Sequence, residues 1–187
     1  MDKYPEKFIL MTWHRAENTY SKERMKKILA FINALDYKII LPLHPRTRKI
    51  LIDYNLMDDL YQNENITILN PVGYREMTDL LGRCKLVISD SGGVSKEASF
   101  AGKICFSPLD LKLWPELIEA GYIHMVNVED AESVQCNEKK IKTLMQNDVT
   151  LGKIDFFGEG KAAQIIVDTI ERALKNLAES DTRTKLL

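Results

Sequence analysis

Cysteine is scarce and poorly spaced for chemistry. Cys84, Cys105 and Cys136 are the only three in 187 residues, with no Cys-x-x-Cys pair and no neighbouring histidine. That spacing disfavours a disulfide framework and a zinc site, and buried thiols are expected instead. The three histidines, His14, His44 and His124, are too scattered for a helical metal motif. Long apolar runs are missing as well. The longest unbroken one, Ile28 to Ile32, falls far short of the roughly 20 residues that span a bilayer, and no basic-then-apolar leader opens the sequence. The chain is therefore expected in the cytoplasm, without a membrane. Net charge is also lacking: 26 Lys and Arg against 27 Asp and Glu leave −1, so no broad field attracts nucleic acid or anionic lipid. Any anion site has to be built locally.

What is present is the composition of an ordinary globular fold, 45% apolar and 28% charged. At about 150 residues per domain the length predicts one domain. The expectation is a domain over 1–178 followed by a frayed polar tail over 179–187, beginning almost directly on its first strand as an excised domain would. Short apolar runs alternate with segments whose apolar residues recur at three and four. The runs Lys7 to Trp13, Lys38 to Leu43, Ile66 to Leu69, Leu86 to Ser89, Ile104 to Phe106 and His124 to Val128 read as buried parallel strands. Helical patterns cover Ser21 to Leu35, Thr47 to Tyr54, Tyr74 to Arg83, Val94 to Ala101, Pro115 to Ala120, Glu138 to Asn147 and Gly160 to Leu177. This strict alternation predicts an α/β fold, a single Rossmann-like doubly wound parallel sheet of about six strands. Such sheets bind ligands beyond the carboxyl ends of their strands.

Three of those strand ends carry related chemistry. After the first comes His14-Arg15-Ala16-Glu17-Asn18, dense in hydrogen-bonding groups. After the second comes His44-Pro45-Arg46-Thr47-Arg48-Lys49, where proline suits the first turn of a helix and places His44 at its tip. Cations at a helix start oppose the dipole unless an anion offsets them, although a solvated basic turn would read the same way. After the fourth comes Ser89-Asp90-Ser91-Gly92-Gly93-Val94, opening a helix that carries Glu97. Glycines let a ligand approach the backbone, and the N–H groups of a helix start can cradle a diphosphate. Glu97 follows Ser91 by about one and two-thirds turns, within reach of a ribose diol. A nucleoside-diphosphate ligand is the common explanation.

In order and content, Thr12 to Asn18, Leu43 to Arg46, Ser89 to Ala98 and Gly158 to Ala163 resemble the non-hydrolysing UDP-N-acetylglucosamine 2-epimerases. The resemblance covers nearly the whole chain but only the carboxyl-terminal half of that family's usual polypeptide. It implies one half of a GT-B fold, with an amino-terminal Rossmann-like domain across the active-site cleft supplied in trans or by a longer gene. It implies conversion of UDP-GlcNAc to UDP-ManNAc by elimination and re-addition of UDP, with no metal or redox cofactor. His14 and Arg15 would then face the diphosphate and sugar, His14 polarising the leaving group. Ser91, Gly92 and Gly93 would hold the diphosphate, and Glu97 the ribose. Backbone around Val72 and Met77 would read uracil. Asn18 and Arg46 join the substrate-binding set, and His44 lies where a second, activating UDP-GlcNAc would bind. Two departures stand out: Ser95-Lys96-Glu97 follows the glycines, and Trp114 replaces an arginine, a change that is not conservative at an anion site. The alternatives are the donor-binding domain of a GT-B glycosyltransferase and a non-catalytic nucleotide-sugar module.

Overall fold

The computed structural model describes residues 4–149, 151–152 and 154–184, with side chains described as far as 177. Six strands form one all-parallel sheet: β1 (Ile9–Thr12), β2 (Ile39–Pro42), β3 (Ile66–Leu69), β4 (Leu86–Ser89), β5 (Cys105–Ser107) and β6 (Ile123–Met125). Their spatial order is β3-β2-β1-β4-β5-β6, the doubly wound Rossmann-like arrangement. The direction of winding reverses between β1 and β4, which pair Thr12 with Ser89 at their carboxyl ends. All four residues of β1, β2 and β4 are buried, because helices cover both faces of a sheet built from crossovers. At the edges burial is partial: β3 and β6 each bury only their first residue fully.

The helices are α1 (Ala16–Thr19), α2 (Lys22–Asn33), α3 (Pro45–Asp53), α4 (Met57–Tyr61), α5 (Tyr74–Arg83), α6 (Gly92–Phe100), α7 (Pro115–Glu119), α8 (Ala131–Gln146) and α9 (Ala162–Thr184). Ser21 caps α2 by accepting from the Arg24 N–H. Met25, Ile28, Leu29 and Ile32 then form the buried stripe the spacing predicts, packed with Ile9, Ile39, Leu41 and Ile88 from the sheet. Each such aliphatic side chain contributes about 1.5–3 kcal/mol by leaving water. Asp130 caps α8, accepting from the Glu132 and Ser133 N–H groups, so this helix begins seven residues before the Glu138 expected from apolar spacing. The short α1 and α4 were not foreseen: each is about one turn, too short to show a period.

The chain divides into two compact units, residues 1–151 and 152–187. In the second, Gly158–Gly160 form a 3-10 turn, with Gly158 and Gly160 at positive φ, leading into α9. That helix runs to Thr184, past the Leu177 expected from its stripe, while residues 185–187 of the expected tail lie outside the described residues. Ile166, Ile170, Leu174 and Leu177 on its apolar stripe are exposed. Among the described residues no helix is long and apolar enough to cross a membrane.

Cys84 and Cys105 are buried as expected, and burial pushes both thiols up to about 12. Cys136 corrects the expectation: it is exposed on α8, because it falls off the buried stripe formed by Ile141, Leu144 and Met145.

Candidate functional site

At the carboxyl ends of β1 and β4 the apolar strands give way to a compact polar cluster. The Thr12 and Ser89 hydroxyls meet at 2.6 Å, and Ser89 Oγ also accepts from the Ser91 N–H at 3.0 Å. Between them lies Asp90, only 1% exposed. A buried carboxylate is tolerable only when donors saturate it. Here the His14 N–H donates to both its oxygens at 3.1 Å, the Arg15 N–H donates at 2.9 Å and the Asn18 side-chain amide at 3.2 Å. His14 Nδ1 stands 3.6 Å from the same carboxylate. Asp90 thus ties the loop after β1 to the loop after β4.

A second layer braces the first. The Asn18 side-chain Oδ1 accepts from Arg24 Nε at 3.2 Å, and Arg24 is itself buried. Its guanidinium also donates to the Pro108 carbonyl at 2.8 Å, to Asp110 at 3.2 Å and to Glu129 at 3.3 Å. One arginine on α2 therefore ties together the segments that follow β1, β5 and β6. Lys27 also pairs with Glu129, and this bond, followed by the Arg24 contact, holds the Glu129 carboxyl below its ordinary range.

Above this support sit the groups that the sequence singles out for an anion. Ser91 caps α6, its hydroxyl accepting from the Val94 N–H at 3.4 Å, so Gly92 and Gly93 form the first helical turn itself rather than a loop before it. Their amides belong to the set that a helix leaves without internal partners. Gly93 is exposed, and a Cβ there would meet only Ser91 Oγ at 3.8 Å. Gly92 is closer-set: a Cβ would lie 3.0 Å from Leu113 Cδ1 and 3.8 Å from an Arg15 guanidinium nitrogen. The Arg15 side chain, which also approaches Glu17 at 3.7 Å, therefore lies beside this helix start. On the other flank of β1, His44 caps α3 by accepting the Arg46 N–H on Nδ1 at 3.2 Å. The His14 and His44 rings lie 5.6 Å apart.

The structure thus gathers His14, Arg15, His44, Ser91, Gly92 and Gly93 at the point where strand order reverses. Glu97 is half-buried further along α6, and Arg46 is exposed on the first turn of α3. One of the residues named from the sequence sits differently. Asn18 is fully buried, its amide engaged by Asp90 and Arg24, so it supports the cluster from beneath and has no surface to offer a ligand. Val72 precedes α5 and Met77 lies within it, on the connection from β3 to β4, and the Met77 N–H is taken by the Gly73 carbonyl at 3.0 Å as part of that helix.

Asp90 and Arg24 were missed as site residues, although one signal for Asp90 was in the sequence. A carboxylate inside an anion-binding loop must be neutralised by its own donors, which marks Asp90 as a buried anchor rather than a surface acid. Trp114, noted as a departure from the family, proves to touch the site. Its indole N–H donates to the Gly92 carbonyl at 2.8 Å, and Lys96 Nζ stands 4.8 Å from its ring centre.

A doubly wound sheet with glycine amides, an arginine and two histidines at its switch point defines a Rossmann-like domain, one half of a GT-B fold. Residues 1–171 match the family model for UDP-N-acetylglucosamine 2-epimerase, and the chain belongs to that family. A UDP-N-acetylglucosamine 2-epimerase of Methanocaldococcus jannaschii is 35% identical over 168 residues, covering 86% of this chain and 43% of the relative. A UDP-2,3-diacetamido-2,3-dideoxy-D-glucuronate 2-epimerase of Pseudomonas aeruginosa is 35% identical over 168 residues, with 88% and 44% covered. The crystal structure of the M. jannaschii UDP-GlcNAc 2-epimerase in complex with UDP-GlcNAc and UDP superposes with a TM-score of 0.78 at 33% identity, covering 89% of this chain and 46% of that one. The chain therefore spans somewhat less than half the length of the relatives it matches.

Proposed function

We propose that this chain is the UDP-binding half of a UDP-N-acetylglucosamine 2-epimerase, which interconverts UDP-GlcNAc and UDP-ManNAc when an amino-terminal Rossmann-like half completes the cleft. The observation that carries this reading is the convergence of His14, Arg15 and the start of α6 on one end of β1 and β4. Elimination of UDP from C1 requires removal of the C2 proton and stabilisation of charge on the departing diphosphate. This half supplies the second requirement: α6 amides and Arg15 hold the diphosphate, His14 donates to it, and Glu97 takes the ribose hydroxyls. The base for C2 comes from the amino-terminal half. Mixing the chain with a matching amino-terminal half in deuterium oxide tests the whole proposal. Deuterium should enter C2 of UDP-GlcNAc by proton NMR, and a stable complex without exchange rejects catalysis by such a pair.

A related sugar is favoured by one observation. The Trp114 and Lys96 pair beside Gly92 puts an aromatic face and a cation where the family carries arginine. A uronate-bearing UDP-diacetamido sugar, the substrate class in the name of the P. aeruginosa relative, would suit that cation. Tighter binding of the uronate than of UDP-GlcNAc by calorimetry decides for it.

A further inference from the structure

The two histidines at the site have different partners on the same ring atom. His44 Nδ1 accepts a hydrogen bond from the Arg46 N–H, so in the neutral ring its proton must sit on Nε2. His14 Nδ1 instead faces Asp90 Oδ1 at 3.6 Å. Asp90 is a buried carboxylate that can only accept, and an unprotonated Nδ1 would set lone pair against lone pair. In the neutral His14 ring the proton therefore belongs on Nδ1, leaving Nε2 bare on a side chain that is 36% exposed.

We propose that Asp90 and the start of α3 hold His14 and His44 in opposite tautomers. His44 offers a permanent N–H donor at Nε2, and His14 a proton-accepting Nε2. Asp90 is then a positioning residue, acting through His14.

A tautomer is read directly from long-range nitrogen–proton correlations in the full 187-residue chain labelled with 15N histidine. At pH 8 the expected result is Nδ1–H for His14 and Nε2–H for His44; the same tautomer in both overturns the proposal. In Asp90→Asn, His14 should lose its preference while His44 keeps its own, and an unmoved His14 spectrum counts equally against it. If that variant does not fold, the wild-type spectra still decide.

Discussion

The starts of α3 and α6 flank the end of β1 on opposite sides, and they are prepared for an anion in opposite ways. α3 opens with His44 as cap, Pro45 in the first turn and the long cations Arg46 and Arg48 behind. α6 opens with a serine cap, two glycines and no charge in its first turn. Side-chain cations act at a distance, through solvent, and salt screens them. Backbone amides act only at contact, but they are already placed and lose no rotamer freedom when a ligand arrives. The contrast says that α6 should carry specificity and α3 mainly attraction.

The contrast can be broken most severely at Gly93. A Cβ at Gly93 has room in the fold, since nothing but Ser91 Oγ lies within 4 Å of it, and the branched side chain of Gly93→Val would fill the space proposed for a phosphate. UDP affinity by calorimetry should fall about 100-fold, or about 2.7 kcal/mol, with the melting temperature nearly unchanged. Further along the same helix, Glu97→Gln should cost about tenfold in UDP affinity and much less in affinity for inorganic pyrophosphate, which has no ribose. On the α3 side, Arg46→Ala should weaken UDP binding by only about threefold at low ionic strength, with the difference vanishing near 0.5 M salt. A loss in Arg46→Ala as large as in Gly93→Val would reverse the assignment of roles.

Any pH series must allow for a third histidine outside this comparison. Burial, and then the nearby Lys140 ammonium, push His124 on β6 down to about 4 from 6.5. Between those values the unfolded chain binds the proton and the folded chain does not. Stability from this group is therefore complete above about pH 6.5 and declines as pH falls toward 4. Urea midpoints at pH 7 and pH 5 should show the decline, and His124→Gln should reduce it.

The readable parts of the sequence were those where one physical demand dominates. Tyr74–Arg83 and Leu86–Ser89 match their expected ends residue for residue, because period and flanking breaks coincide there. β5 shifts by a residue, and β6 starts one residue before the expected His124 and stops three short of Val128, since short apolar runs do not say where pairing stops. At the site, residues that meet a ligand through exposed groups stood out as polar clusters at strand ends. Those that act by being buried did not: nothing in the local pattern sets Arg24 apart from the other cations of α2, and Asn18 looked like part of the recognition loop. Their roles depend on which loops lie above them, a matter of tertiary placement rather than of local pattern.

The thiols carry a practical consequence. With Cys84 and Cys105 enclosed and held protonated, maleimides or spin labels added near neutral pH should find Cys136 alone among the three cysteines. The chain thus comes with one native attachment point on α8, from which a reporter can follow assembly with a second half without any engineered mutation.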